Sequence, residues 1–313
     1  MKILITGASG FTGRHMINYL LSLDREDLDL YGLYNTTLPS PTRGCRYIQG
    51  DLSNQDIVHE LIHSISPDVI IHLAGPNAGA LQDLLTTNVI GTENLLDAVL
   101  QNRPDCRVLV IGSSAEYGYA GSDPITEDSQ LNPVSGYGLS KVAADLLAQS
   151  YALKHNLCVA VARPFNLVGP GQPASFVCGR IVKQAMELDF GLREAMDLGN
   201  LNSSRDFIDV RDVVTAYWQI LSHDHFDRDF CGRAINVGSG SATSIREVLS
   251  IIKILIHKKV AVNTGNDFQP DLIPTQRSDN SLIMATTGWN PAIPLEQSLK
   301  DMLDQQRASL QEK

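Results

Sequence analysis

Several things are scarce in this 313-residue sequence, and each shortage excludes a class of protein. The five cysteines, Cys45, Cys106, Cys158, Cys178 and Cys231, are scattered without CxxC spacing, so neither a zinc site nor a disulfide framework is indicated and reduced thiols fit best. Basic residues are outnumbered, 25 Lys and Arg against 35 Asp and Glu. The resulting charge of −10 disfavours nonspecific binding to nucleic acid or to an anionic membrane, both of which need a basic surface. An anionic ligand would need a local basic site. No apolar run reaches membrane-spanning length, no tract is of low complexity, and no repeat of solenoid period is present. Met1 leads within two residues into ILITGASG, which leaves no room for a signal peptide, so a cytoplasmic protein is expected.

What the chain does contain is a recurring unit. Lys2 to Thr6 is a short apolar, β-branched run followed by GASGFTG and a helical pattern from Arg14 to Leu23, that is, strand, Gly loop, helix. LDLYGLYN (28–35) is strand-like, Asn54 to Ile65 helical, DVIIHLAG (68–75) strand-like and Leu85 to Leu100 helical. CRVLVIGSS (106–114) is a strand, Ser140 to His155 a helix and CVAVARPFN (158–166) a further strand. Runs of Val, Ile and Leu with little alternation are buried on both faces, which predicts an α/β fold, a Rossmann-type doubly wound parallel sheet covered by helices. Beyond Asn166 the regularity breaks, although DVVTAYWQIL (212–221) reads as a helix and AINVGSG (234–240) as a strand returning to the sheet. Residues 1–166 with 207–240 are therefore expected to form the dinucleotide-binding domain. Residues 167–206 with 241–313 are expected to form a smaller α/β substrate-binding lobe over the carboxyl edge of the strands.

Gly7, Gly10 and Gly13 give GxxGxxG directly after the first strand and at the mouth of the first helix. Glycines there let the backbone approach a pyrophosphate, whose charge is met by free N–H groups and the positive helix end. About 20 residues on, an acidic side chain would hold the ribose hydroxyls of NAD. Here the second strand ends at Tyr34, Asn35, Thr36 and Thr37, which offer hydrogen bonds but no carboxylate, so NADP or NAD is expected with NADPH mildly favoured. Asp51, after the next strand end, could contact the adenine amino group. Further along, Ser113 stands at a strand end and Tyr137 and Lys141 sit four apart, on one face of a helix. With a nicotinamide on the same edge, Lys141 would lower the phenol pKa and hold a ribose hydroxyl. Tyr137 would pass a proton to a carbonyl oxygen accepting hydride, and Ser113 would orient that oxygen. Taken singly, Ser113 reads better as a strand-end cap and the Tyr–Lys pair as one turn of a solvated helix; the combination of the three favours the chemistry.

With GASGFTG, HLAG (72–75), NVIGTENLL (88–96), SSAEYG, YGLSK, RPFN (163–166), GPGQ (169–172), RDFIDVRD (205–212) and TGWNPAIPLEQSL (287–299), the chain resembles the extended short-chain dehydrogenase/reductase family over nearly its whole length. That family comprises sugar-nucleotide epimerases, dehydratases and reductases. Within it the chain looks most like the reductases of GDP-linked 4-keto-6-deoxymannose. The resemblance implies reduction of a nucleotide-linked 4-keto-6-deoxy sugar to a 6-deoxyhexose by Tyr137, Lys141 and Ser113. It also implies cofactor contacts from Gly7, Gly10, Phe11, Thr12, Gly13, Asn35, Asp51, Leu52, Leu73, Ala74, Tyr137 and Lys141. Substrate contacts would come from Ser114, Glu116, Asn166, Phe176, Val177, Arg205 and Gln269, and no metal is implied. Relatives commonly dimerise through the helices at 85–100 and 140–155, so a homodimer is expected. Two positions depart from the pattern. Gln269 in FQPDLIP replaces an arginine, leaving the nucleotide contact to Arg277 or another cation. Pro76 and Asn77 stand where relatives often have Ala or Ser.

Three other activities use the same fold. A C4-epimerase would share the trio but must retain NAD, which the absent acidic residue after the second strand disfavours. A noncatalytic dinucleotide sensor would not need Tyr137 and Lys141. A 4,6-dehydratase needs a carboxylate two residues after the reactive hydroxyl, where this chain has Ala115. Glu116, one residue later along an extended strand end, is expected to face away from the sugar.

Overall fold

The computed structural model describes residues 1–258, 260–264 and 272–311. Strand β1 (Lys2–Thr6) turns through the Gly loop into α1 (Phe11–Ser22). There follow β2 (Asp29–Tyr34), β3 (Cys45–Gln49), α2 (Gln55–Ile65), β4 (Val69–His72), α3 (Leu81–Leu85), a π-helical turn (Thr86–Ile90) and α4 (Gly91–Asn102). Next come β5 (Arg107–Ile111), a 3-10 turn (Ser114–Glu116), α5 (Gly136–His155), β6 (Val159–Pro164), β7 (Asn166–Val168), α6 (Val177–Asp189) and β8 (Ala195–Leu198). The chain continues through β9 (Ser204–Asp209), α7 (Val210–Leu221), α8 (Phe226–Asp229), β10 (Ala234–Val237), β11 (Ala242–Ser244), α9 (Ile245–Ile256), β12 (Ala261–Thr264), α10 (Ser281–Thr287) and α11 (Leu295–Gln311).

Seven of these strands form a parallel sheet in the order β10-β6-β5-β4-β1-β2-β3. The chain winds outward from β1 to β3, then returns to β4 on the other side of β1, so the strand order reverses between β1 and β4. At such a switch point the carboxyl-edge loops part and leave a crevice. Alternation along the strands explains why the central runs are apolar throughout. Ile3 and Ile5 face Met16, Leu20, Val213 and Tyr217, whereas Leu4 faces Ile62, Leu95 and Leu96 on the other side. A separate apolar cluster joins α6, α9 and α11 through Ile181, Val248, Ile252, Leu299 and Met302. Above the main sheet lie a three-stranded sheet, β11-β9-β7, and the parallel pair β12-β8. No helix among the described residues is long and apolar enough to cross a membrane.

Four local features differ from the sequence reading. Strand β3, reading CRYIQ, shows in the sequence only by its end before Asp51, because as the half-exposed edge of the sheet it carries no apolar run, and it makes β5 the fifth strand of the chain rather than the fourth. The helix expected over 85–100 begins at Leu81 and is widened by the π turn. Helix α5 starts at Gly136, one turn early, because Ser135 caps it by accepting from Gly138 N at 3.0 Å. The run expected as one strand to Asn166 ends at Pro164, and Asn166 opens β7, which leaves the main sheet to pair with β9.

Candidate active site

At the switch point the Gly loop is packed as tightly as backbone allows. Gly7 has φ +67°, and a Cβ there would lie 2.8 Å from Ala74 N. A Cβ on Gly13 would lie 2.3 Å from Gly7 O. Gly10 caps α1 with no side-chain hydrogen bond, so the first N–H groups of the helix are left to whatever binds there. Gly7 and Gly10 open onto a 230 Å³ cleft that is also lined by Tyr34, Asn35, Thr36, Asp51, Leu52, Leu73 and Ala74. Phe11 and Thr12 form the first turn of α1. Asp51 accepts from Ser53 N at 2.9 Å and from its hydroxyl at 2.8 Å, and with Asn35 beside it the carboxyl is held below its usual range. A larger cleft of 340 Å³, bounded by Met1, Arg107 and Trp218, opens at the opposite, amino-terminal edge of the strands, away from the Gly loop and the tyrosine.

Beyond β5 the chain tightens into the 3-10 turn, with Ser113 as its N-cap accepting from Ala115 N at 3.1 Å. The Ser113 side chain also stands beside the Tyr137 phenol. Ser113 is thus the strand-end cap, with the phenol of Tyr137 next to it. Lys141, 8% exposed, donates from Nζ to Ile111 O at 2.7 Å and lies 6.0 Å from the Tyr137 ring centre. Burial lowers the Lys141 ammonium to about 8, with the Glu116 and Asp145 carboxyls opposing that fall. Burial raises the Tyr137 phenol, with Ser113 opposing. This corrects the expected lowering of the phenol by Lys141: the ammonium donates to the Ile111 carbonyl and burial dominates at the phenol.

Glu116 is also not where a substrate contact requires it. The side chain is 0% exposed; Oε1 accepts from Ser113 N at 2.7 Å, and Oε2 lies 3.1 Å from Arg163 Nε. It turns inward because the chain is a 3-10 turn at this point, not an extended strand, and Ser113 and Glu116 close a reciprocal capping box. Ser114 is buried as well, its carbonyl accepting from Gln276 Nε2 at 2.8 Å. Of the remaining expected substrate contacts, Asn166 donates to Asp206 O at 3.3 Å and Arg205 Nη1 donates to Ser204 O at 2.9 Å. Phe176 and Val177 are 40% and 37% exposed at the start of α6, and Gln269 lies outside the described residues.

The sequence reading missed two groups behind the trio. Asn88, in the π turn, donates to Pro76 O and to Ser140 Oγ, which gives Pro76 a role as acceptor. Its Oδ1 is buried without a partner, and a Cβ on Gly75 would lie 2.5 Å from that oxygen and 3.4 Å from Lys141 Nζ. His72 is buried between two threonines. The Thr92 hydroxyl donates to Asn88 O at 2.7 Å, so it must accept from His72 Nε2 at 3.0 Å. Nδ1 therefore carries the lone pair that receives the Thr6 hydroxyl at 2.8 Å, while Thr6 Oγ accepts from Ala74 N. This chain of bonds ties the Gly-loop wall to the π turn and requires a neutral ring. Burial accordingly lowers His72 to about 3.

The sequence that builds this crevice matches a family model. The model for GDP-mannose 4,6 dehydratase covers residues 4–302. The chain belongs to the GDP-mannose 4,6-dehydratase family. It is 32% identical over 320 residues to the GDP-6-deoxy-D-mannose reductase of Pseudomonas aeruginosa, covering 99% of each chain. It is 29% identical to the GDP-6-deoxy-D-talose 4-dehydrogenase of Aggregatibacter actinomycetemcomitans, covering 92% of each. Among solved structures it superposes on the RMD protein of P. aeruginosa in complex with NADPH with a TM-score of 0.85 at 31% identity, covering 98% of this chain and 99% of that one. Family members thus include reductases and dehydrogenases as well as dehydratases, and the fold alone does not choose between them.

Proposed function

We propose that this protein is an NAD(P)H-dependent reductase of a nucleotide-linked 4-keto-6-deoxy sugar, taking GDP-4-keto-6-deoxymannose to a GDP-6-deoxyhexose. The observation that carries the reading is Ser113 standing beside the Tyr137 phenol with Lys141 one helical turn further on, at the carboxyl edge of the sheet and with the carboxyls of Glu116 and Asp145 fully buried. The Gly7–Gly13 cradle, which any Cβ would fill, and the uncapped start of α1 fit a dinucleotide diphosphate. Asn35, Asp51, Leu52, Leu73 and Ala74 would hold its adenosine half. Bound there, the reduced dinucleotide supplies hydride. Tyr137 holds the proton that the reduced oxygen takes up, and Ser113 aligns that oxygen with the phenol. Lys141, charged below a pH of about 8, holds a ribose hydroxyl and keeps positive charge beside the phenol as its proton leaves. Residues 167–206 and 241–313 would form the lobe that receives the sugar nucleotide, with contacts from Phe176, Val177 and Arg205 and from Asn166 of the dinucleotide-binding domain.

The protein works as a cytoplasmic homodimer in this reading. All five cysteines are free thiols. Leu139, Leu146 and Leu153, spaced by seven on α5, are 46%, 53% and 78% exposed, an apolar stripe that a second copy would cover. The deciding experiment supplies purified protein with GDP-4-keto-6-deoxymannose and NADPH or NADH and identifies the product. A 6-deoxyhexose nucleotide is expected. Conversion of GDP-mannose to the 4-keto-6-deoxy sugar with catalytic NADP⁺ would overturn the assignment in favour of a dehydratase.

A further inference from the structure

Glu116 and Asp145 are two carboxyls, both 0% exposed, packed against the guanidinium of Arg163. The hydrogen bonds around them are asymmetric. Asp145 has a donor on each oxygen, Gln149 Nε2 on Oδ1 and Arg163 Nε on Oδ2 at 2.7 Å. Glu116 has a donor on Oε1 only, the Ser113 N–H. Its Oε2 lies 3.1 Å from the same Arg163 Nε, but that nitrogen carries a single hydrogen and it points to Asp145, so Oε2 has no donor. An anionic oxygen enclosed without a donor is costly, whereas a protonated one has an acceptor at hand, because Glu116 Oε2 and Asp145 Oδ2 are held side by side, at 3.1 and 2.7 Å from the same Arg163 Nε.

We propose that Glu116 is a positioning residue that carries a proton on Oε2 and donates it to Asp145, so that the pair holds one negative charge against Arg163 while Oε1 fixes the Ser113 backbone. Burial and the neighbouring Asp145 charge push Glu116 well above the carboxylate range, with Arg163 opposing, in keeping with this geometry. The charged and titratable groups around Glu116 are Arg163 from β6, Asp145, Lys141 and Tyr137 from α5, and Tyr117 on its own turn. With Glu116 neutral, Arg163 and Asp145 cancel and Lys141 is left as the uncompensated cation next to the phenol. An ionised Glu116 would instead raise both Tyr137 and Lys141, disfavouring release of the proton that Tyr137 must give up. Gly112 is part of the device, since a Cβ there would lie 2.4 Å from Glu116 Oε1.

The positioning consequence rests on Ser113, Tyr137 and Lys141 being the reacting trio; the proton itself does not, so the test has two arms. In the first, infrared spectra of the whole protein at pH 7 should show a protonated-carboxyl C=O band that is missing in Glu116→Gln. If the Gln variant does not fold, the wild type labelled with 13C at the glutamate carboxyl should show one buried carboxyl in its acid position. Absence of the acid signal in the wild type overturns the proposal. In the second arm, Glu116→Gln, which keeps an acceptor for Ser113 and supplies an N–H for Asp145, should retain most of the turnover of the 4-keto sugar. Glu116→Ala should lose on the order of tenfold or more in kcat with little change in KM, because Ser113 is no longer held. A Gln variant as impaired as the Ala variant overturns the positioning role. Absence of turnover in the wild type would sink the substrate reading while leaving the spectroscopic arm to decide the proton.

Discussion

Acidification should weaken this fold through His72 before it harms the helices on the surface. The ring is buried and neutral by construction, since Thr92 can only accept from Nε2 and Thr6 must therefore donate to Nδ1. A second ring proton would set two hydrogens against each other at Thr6. In the unfolded chain the same histidine titrates at 6.5, and in the fold at about 3. Between those values the unfolded state binds more protons, so unfolding free energy falls as pH falls, at about 1.4 kcal/mol per pH unit. From pH 7 to pH 4.5 the unfolded ring passes about two units below its pKa while the folded ring stays neutral, which costs about 3 kcal/mol. Carboxylates also titrate over this range, so the measurement is a difference. Urea denaturation of the wild type and of His72→Leu is followed at pH 7, 5.5 and 4.5. The variant should be the less stable at pH 7, by roughly 1–3 kcal/mol for the lost hydrogen-bond partners. It should close that gap by about 3 kcal/mol at pH 4.5, because it has no ring to protonate. Stability curves that stay parallel across this range would refute the tautomer argument.

Tyr137→Phe should lower turnover roughly 100- to 10,000-fold while leaving dinucleotide affinity unchanged, and Lys141→Ala should impair both; steady-state kinetics and cofactor titration separate the two outcomes. Calorimetric titration with NADPH and NADH should show both binding, with modest preference for the phosphorylated form, since Asn35 and Thr36 line the cleft where a carboxylate would repel it; a strong preference for NADH would show that Asp51, beside Asn35, governs the ribose. Gly13→Ala should cost NADPH affinity at least tenfold although alanine favours a helix by about 1 kcal/mol, because its Cβ would sit 2.3 Å from Gly7 O and push the loop off its position. Unchanged affinity in a folded variant would show that the loop yields without cost.

What could be read from the sequence was what is decided locally. Lys2 to Thr6 was delimited correctly because a strand covered on both faces has no polar position to blur its ends. The Gly loop was legible because its demand for missing side chains is met within seven residues and the neighbouring strand end. The π turn was not, since it is held by the Asn88 amide bonding to Ser140, a partner 52 residues away that no local pattern announces. Of strand β3 only the end before Asp51 was legible, because CRYIQ pairs on one side only and keeps polar residues. Two signals were present and unused. Ser113-Ser114-Ala115-Glu116 is a capping-box sequence and predicts a turn at the end of β5. Arg163 is a charge inside an otherwise apolar buried run, and a charge in such a place needs a buried partner of opposite sign.

The distinction between reduction and dehydration therefore rests on a different argument from the one that strand alternation supplies. On an extended chain Glu116 and Ala115 would point to opposite faces, and a single bulge would return the carboxylate to the sugar. The 3-10 turn removes that premise, because side chains there are set by the capping box. What keeps Glu116 from acting as a base is that one oxygen holds the Ser113 N–H and the whole group is sealed beside Arg163 and Asp145 with no exposed surface. To reach a sugar carbon it would have to abandon both, releasing the backbone of the very serine that stands beside Tyr137. Ala115 cannot take its place, having only a methyl group. A hydride reduction asks nothing of either residue except that Ser113 stay fixed, and the buried carboxyl does that.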